Sequence, residues 1–152
     1  MRIVAVSGEP ELAPIVAGWL WQAFFQYPGA MDERALTSII LSPPPGPEET
    51  FVLLEGDTPV GTASLTSDDL PARPDLTPWL AGVFVRPEFR GRGHARALVR
   101  WVEDHARSFG VGRLWLNTGE AEGLYAGLGW HRVEAFELRS HPNVLMRRDL
   151  AQ

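Results

Sequence analysis

The run Arg90-Gly91-Arg92-Gly93-His94-Ala95-Arg96 concentrates more usable chemistry than any other stretch of the chain. Before it, the apolar pattern Trp79 to Val85 reads as a strand that stops at Pro87, and after it an amphipathic helix begins at Ala95. A helix N-terminus exposes unpaired backbone N–H groups and the positive end of the helix dipole. Gly91 and Gly93 let an anion reach that backbone with no Cβ in the way. The pattern therefore predicts a nest for a pyrophosphate, with Arg90, Arg92 and Arg96 as charged donors and His94 in the same turn. It is not a Walker loop, because no Gly-Lys-Ser/Thr follows and the chain contains no lysine. It is not the dinucleotide fingerprint either. Position 96 is arginine where that motif needs glycine, and the next strand, 113–117, ends without an acidic residue.

Composition narrows the chemistry further. Cysteine is absent, which removes disulfides, thiolate metal sites and a cysteine acyl-enzyme, and without lysine there is no Schiff-base chemistry. No other feature calls for a metal. The net charge of −5 argues against nonspecific nucleic-acid binding. Yet six of the 14 basic residues, all arginine, fall between positions 86 and 107, so the local charge favours an anion where the global charge does not. Arg100 and Arg107 read as a solvated helix face. No stretch reaches the roughly 20 apolar residues of a membrane span, and Met1 to Val6 is too short and strand-like for a signal peptide. A cytoplasmic protein with no membrane partner is the expectation.

The elements that must position the arginine-glycine turn follow from periodicity and breakers. Met1–Val6 reads as a strand and Glu9 to about Phe25 as a helix with Ile15, Trp19 and Leu12 on one face. Asp32 is placed to cap a second helix running to Leu41, and the proline-rich 42–49 is a stiff loop. Residues 51–55 and 60–66 form a hairpin around 56–59, and a long acidic loop spans 67–77. After strand 79–85 comes a helix, 95–109, with Ala95, Leu98, Val99, Val102, Ala106 and Phe109 facing inward. Arg96, Arg100, Glu103 and Arg107 face outward, and Gly110 is the stop. Strand 113–117, a short helix 121–128, and a terminal hairpin 130–138/143–150 around Ser140-His141-Pro142 complete the chain. The result is one α/β domain over 1–152, with a central βαβ crossover joining the strands at 79–85 and 113–117.

Two segments carry a family resemblance. Arg90, Gly93 and Ala95 resemble the Arg/Gln-x-x-Gly-x-Gly/Ala acyl-CoA motif of the GNAT N-acetyltransferases, and Leu124-Tyr125-Ala126-Gly127-Leu128-Gly129-Trp130 resembles that family's Tyr-x-x-x-Gly-Phe/Trp segment. The resemblance spans nearly the whole chain and is sharpest over 79–133. It implies a mixed sheet of about seven strands with about four flanking helices and a splay between the strands at 79–85 and 113–117. It also implies acetyl-CoA as co-substrate, with pantetheine on the backbone of Val83 and Val85 and the pyrophosphate on residues 91–96. By the same resemblance Tyr125 sits near the sulfur and serves the departing thiolate, although a tyrosine there also packs the short helix. Asn117 holds the pantetheine arm or caps the following turn.

Direct attack by an amine calls for a base, since only the neutral amine is a nucleophile. Asp68, Asp69, Asp75 and Glu120 are the candidates, with Asp69 preferred; His94 lies in the phosphate turn, at the wrong end for deprotonation, and His105 and His131 are expected to pack or face solvent. The reading is an acetyltransferase acting on a primary amine of a small molecule or peptide, with a non-catalytic acyl-CoA-binding module of the same fold as the alternative. Trp19, Trp21, Phe24, Phe25 and Tyr27 are too many aromatics for one helix stripe, which leaves a substrate cleft or a homodimer contact open for some of them.

Overall fold

The computed structural model describes residues 1–150; residues 151–152 of the expected domain lie outside them. Strands β1 (Arg2–Ala5), β2 (Glu49–Glu55), β3 (Thr58–Thr66), β4 (Trp79–Val85), β5 (Arg113–Thr118), β6 (His131–Leu138) and β7 (His141–Asp149) form one sheet. Its order is β1-β2-β3-β4-β5-β7-β6. The helices are α1 (Ala13–Phe24), α2 (Glu33–Leu41), α3 (His94–Ser108) and α4 (Glu122–Gly127). Every pairing is antiparallel except β4 with β5, the two strands joined through α3. Among the described residues no helix is long and apolar enough to cross a membrane.

Alternation along the strands divides the interior between two faces. On β2, Phe51 and Leu53 point to the side covered by α3, where Leu98, Val99, Val102 and Ala106 are fully buried. Val52 and Leu54 point to the other side, onto Val16, Ala17 and Leu20 of α1 and Leu36 and Ile40 of α2. Trp79 and Leu145, which alternate with Leu80 and Met146, are covered on that second side by Leu70 and Leu76. The long loop 67–77 thus acts as a packing element. Its Leu76 carbonyl accepts the Nε1–H of the buried Trp79 at 2.8 Å, so the indole polar group is not stranded.

Local signals set most boundaries. Asp32 caps α2 by accepting the Ala35 N–H at 2.9 Å. Gly110, at φ +78°, ends α3 with the paired bonds Gly110 N–H to Arg107 and Val111 N–H to Ala106.

Three expectations are corrected. Helix α1 starts at Ala13 after two single 3-10 turns, and its inward stripe is Ala13, Val16, Ala17 and Leu20, leaving Ile15 42% exposed. The β6–β7 turn is Arg139-Ser140, both at positive φ, with His141 and Pro142 already in β7. A two-residue hairpin needs that left-handed pair. Pro142 is tolerated because β5 pairing only begins at Val144. On α3, Glu103 is completely buried and Phe109 is 54% exposed, the reverse of the expected stripe. Glu103 accepts from Trp130 Nε1 at 3.0 Å and Arg100 Nη1 at 2.9 Å and faces Arg148 Nε at 3.4 Å, so a polar cluster replaces an apolar contact there.

Candidate active site

β4 and β5 share one ladder position, Trp79 opposite Trp115, beside a bond from the Trp115 N–H to the Pro78 carbonyl at 3.1 Å. Beyond it the strands part, and a cleft of about 1810 Å³ opens between them. β4 also bulges on its other edge. Thr62 and Ser64 of β3 sit opposite Phe84 and Ala81, so β4 carries an extra residue around Gly82–Val83. Gly82 has φ +62°, and a Cβ there would press to 3.2 Å from the Leu20 side chain, so both the bulge and the packing of α1 need glycine. A bulge re-aims neighbouring backbone and side chains, and here Val83, Phe84 and Val85 line the cleft floor.

The arginine-glycine turn closes one end of this cleft. The first helical bond of α3 runs from Ala97 N–H to the Gly93 carbonyl. Among the described residues no N–H from 91 to 96 finds a backbone carbonyl, and Gly93 offers no side-chain cap. Gly91 and Gly93 sit at φ +80° and +81°, and a Cβ on either would meet nothing within 4 Å. The turn is a cradle of free donors with an open side, which fits a phosphate group.

Its side chains divide differently from the sequence expectation. Arg90 and Arg96 line the cleft, with Arg90 Nε donating to the Val85 carbonyl at 2.8 Å and Arg96 exposed with no ion pair among the described residues. Arg92 turns away: its Nη1 holds both carboxylate oxygens of Glu55, at 2.9 and 3.0 Å, and its guanidinium lies over Phe89. His94 is 6% exposed and also binds Glu55 through Nε2, while its Nδ1 has no partner. The His94 bond, followed by that of Arg92, holds the Glu55 carboxyl below the usual glutamate range. Glu55 thereby ties the phosphate turn to the β2–β3 hairpin. Nothing in sequence spacing marks a partner 39 positions away.

At the opposite end, the splay brings together Asp69 and Asn117, which the sequence left as separate candidates. Asn117 Nδ2 donates to Asp69 Oδ2 at 2.9 Å. The following turn is capped instead by Thr118, whose Oγ1 accepts the Ala121 N–H. Asp69 keeps contact with solvent, yet its carboxyl lies in a concave part of the cleft crowded by protein. That withdrawal from bulk water pushes it up to about 7, against the opposing pull of the Asn117 bond. Asp75 is not in the cleft lining and pairs with Arg73 at 3.2 Å, which holds it low. Asp68 and Glu120 line the cleft and are exposed.

Tyr125 is 7% exposed, lies edge-on to Trp130 with centroids 6.2 Å apart, and lines the same cleft. Its hydroxyl makes no hydrogen bond among the described residues, and burial pushes its phenol up to about 12. The aromatic cluster splits: Trp19 packs on Phe84 and Trp21 on the α1–α2 core, while Phe24, Phe25 and Tyr27 face the cleft. Among the described residues no three His, Asp or Glu side chains gather as metal ligands would.

The fold has known counterparts. The sequence profile of the acetyltransferase (GNAT) family matches residues 14–130, and the chain belongs to that family of acyl-CoA-dependent acetyltransferases. No curated protein is similar enough in sequence to match. Among solved structures, an aminoglycoside 6'-N-acetyltransferase complexed with coenzyme A superposes with TM-score 0.79 at 14% identity, covering 100% of this chain and 98% of its own. A ribosomal-protein-alanine N-acetyltransferase from Brucella melitensis gives 0.79 at 15% identity over 98% and 99%. The yncA protein of Salmonella typhimurium, solved with its cofactor acetyl-CoA, gives 0.78 at 16% identity over 99% and 94%. At these identities the likeness is one of fold.

Proposed function

We propose that the chain transfers the acetyl group of acetyl-CoA directly to a primary amine held in the cleft, with Asp69 as base and Tyr125 as acid. The observation that carries this reading is geometric: Asp69, held by Asn117 at 2.9 Å, and the unpartnered hydroxyl of Tyr125 line the cleft that the cradle of free N–H groups closes, and their surroundings push the carboxyl up to about 7 and the phenol up to about 12. The first is poised to take a proton near neutral pH, and the second stays protonated and able to give one.

The cradle at 91–96 suits the pyrophosphate, with Arg90 and Arg96 at its edge, and the open edge of β4 at Val83 and Val85 suits the amides of pantetheine. The Val85 carbonyl already accepts from Arg90, which leaves its second lone pair. Asn117 fixes the Asp69 carboxylate so that one oxygen faces the incoming ammonium. Asp69 removes that proton, the amine nitrogen forms its bond to the acetyl carbon, and the carbon–sulfur bond breaks. Tyr125 gives its proton to the departing thiolate and is reprotonated by the second proton, which the acylated nitrogen sheds, while Asp69 passes the first to solvent. The products are an N-acetyl amine and free CoA.

Two results test the assignment. Tyr125→Phe keeps the ring against Trp130 and removes only the hydroxyl. It is expected to lower kcat about 10²-fold with little change in the KM for acetyl-CoA, the range for loss of a general acid; steady-state release of free thiol measures both. An unchanged kcat would remove Tyr125 from the mechanism. For Asp69 the sign follows from its charge: only the carboxylate is a base. kcat/KM is therefore expected to fall about tenfold per pH unit below 7 and to level above it, and Asp69→Asn is expected to flatten this limb at a low rate. The same acid limb in Asp69→Asn would assign the titration to another group.

A further inference from the structure

We infer that the acceptor is a single amine carried on an apolar or aromatic body, and not a polyamine or an aminosugar with several ammonium groups. The inference rests on the acetyl-transfer reading above and adds the acceptor class to it.

The wall of the cleft remote from the phosphate cradle comes from the end of α1, the segment joining it to α2, and α2 itself. Phe24, Met31 and Ile39 line it while 45%, 38% and 56% exposed. Isolated exposed apolar residues are ordinary; several gathered on the wall of a cleft that holds polar reactive groups mark a binding surface for an apolar ligand. Tyr27 adds a ring, but the guanidinium of Arg139 covers it at 3.7 Å, placing a fixed positive charge beside this wall. A second or third ammonium on the acceptor would meet that charge.

Several carboxylates of the cleft are fixed in place by hydrogen bonds from uncharged groups, away from the apolar residues named above. Glu48 accepts the Ser67 N–H and the Thr66 hydroxyl. Glu49 accepts from the Ser7 N–H and hydroxyl and from the Thr50 N–H. Asp69 is oriented by Asn117, and only Asp68 and Glu120 keep carboxylates without a side-chain partner among the described residues. An acceptor with ammonium groups spaced along its whole length would set some of them against Phe24, Met31 and Ile39, which offer no acceptor. One amine at Asp69 with an apolar body along that wall leaves nothing unmatched. The chain shares its fold with an aminoglycoside 6'-N-acetyltransferase, and its own cleft wall is apolar.

The test measures kcat/KM at saturating acetyl-CoA for phenethylamine, spermidine and kanamycin, in the native chain and in Ile39→Glu. Ile39 is more than half exposed, so this variant is expected to fold, and an unchanged Kd for acetyl-CoA checks that it does. The expected result is a preference for phenethylamine of at least about tenfold, the scale of apolar pocket discrimination, and a shift of that ratio toward spermidine in Ile39→Glu. Equal or better turnover of spermidine or kanamycin overturns the inference, as does an unshifted ratio in the variant. If no amine turns over, calorimetric titration of phenethylamine into the CoA-loaded protein decides, and absence of binding overturns it. Failure of the native chain to bind acetyl-CoA at all is a different result, and it removes the transfer reading itself.

Discussion

Gly93→Asp is expected to weaken acetyl-CoA binding by 100-fold or more, roughly the effect of losing one or two charge-assisted hydrogen bonds and adding a like charge, while leaving the chain folded. Gly93 is the N-cap of α3 and supplies no side-chain acceptor, so the N–H groups of Ala95 and Arg96 stay free for a ligand. A carboxylate at that position competes for the same donors, as aspartate does at helix N-termini generally. The variant fills the anion cradle with its own charge. Gly93→Ala separates charge from shape. Its Cβ would meet nothing within 4 Å, so its cost is the left-handed φ of +81° alone, about 1–2 kcal/mol of stability, with only a modest loss of affinity. Isothermal titration of both variants and a thermal melt of each read the two effects. Equal losses of affinity in Ala and Asp would mean that backbone shape, not free donors, makes the site.

The second large effect concerns stability. Glu103→Leu is expected to cost about 3–5 kcal/mol, the range for breaking a buried charge pair, and to lower Tm by roughly 10 °C in a chain of this size. The carboxylate is fully buried, and its loss strands the indole N–H of Trp130 and leaves Arg148, whose Nε already lacks a hydrogen bond, facing apolar atoms. Gly129 shapes the same corner: it sits at φ +96°, where a side chain is strained, and a Cβ there would displace the Arg148 guanidinium. The effect should reach the cleft, because the backbone N–H of Trp130 donates to the Tyr125 carbonyl at 3.0 Å and their rings lie edge to face. Adding Arg148→Met to Glu103→Leu is expected to restore much of the lost stability, since it removes the more buried of the two arginines and leaves only the solvent-exposed Arg100 without its partner. Thermal unfolding of the single and double variants checks this. A double variant no more stable than the single one would show that the carboxylate contributes through shape and not through charge.

What the sequence made legible was local. The phosphate turn stood out because two glycines at left-handed φ beside a helix start leave a mark in consecutive residues, and Asp32 and Gly110 did the same for helix ends. Glu103 was misplaced for an equally physical reason. Helical spacing reports side-chain polarity, and a carboxylate paired with Arg100 one turn away on α3 reads as a solvated one until Trp130, just before β6, and Arg148 of β7 close over it. Glu55 went unnoticed, and Asp69 and Asn117 were found but not joined, because their contacts cross 39 and 48 positions. The aromatics of α1 were seen as too many for one stripe, but only the packing of Trp19 on Phe84 divides them between core and cleft.

The lone rung between β4 and β5 makes the sheet two half-sheets hinged near Trp79 and Trp115. A guest that paired with the free strand edges in the gap would supply hydrogen bonds that the chain itself lacks, and so would act as a piece of the architecture. Folding is then linked to its supply: a ligand present at a hundred times its Kd adds about 2.7 kcal/mol to the folded state. Depletion of such a guest would leave the same chain measurably easier to melt and to digest. The folded lifetime of this protein would in that way report the metabolic supply of acyl donor around it.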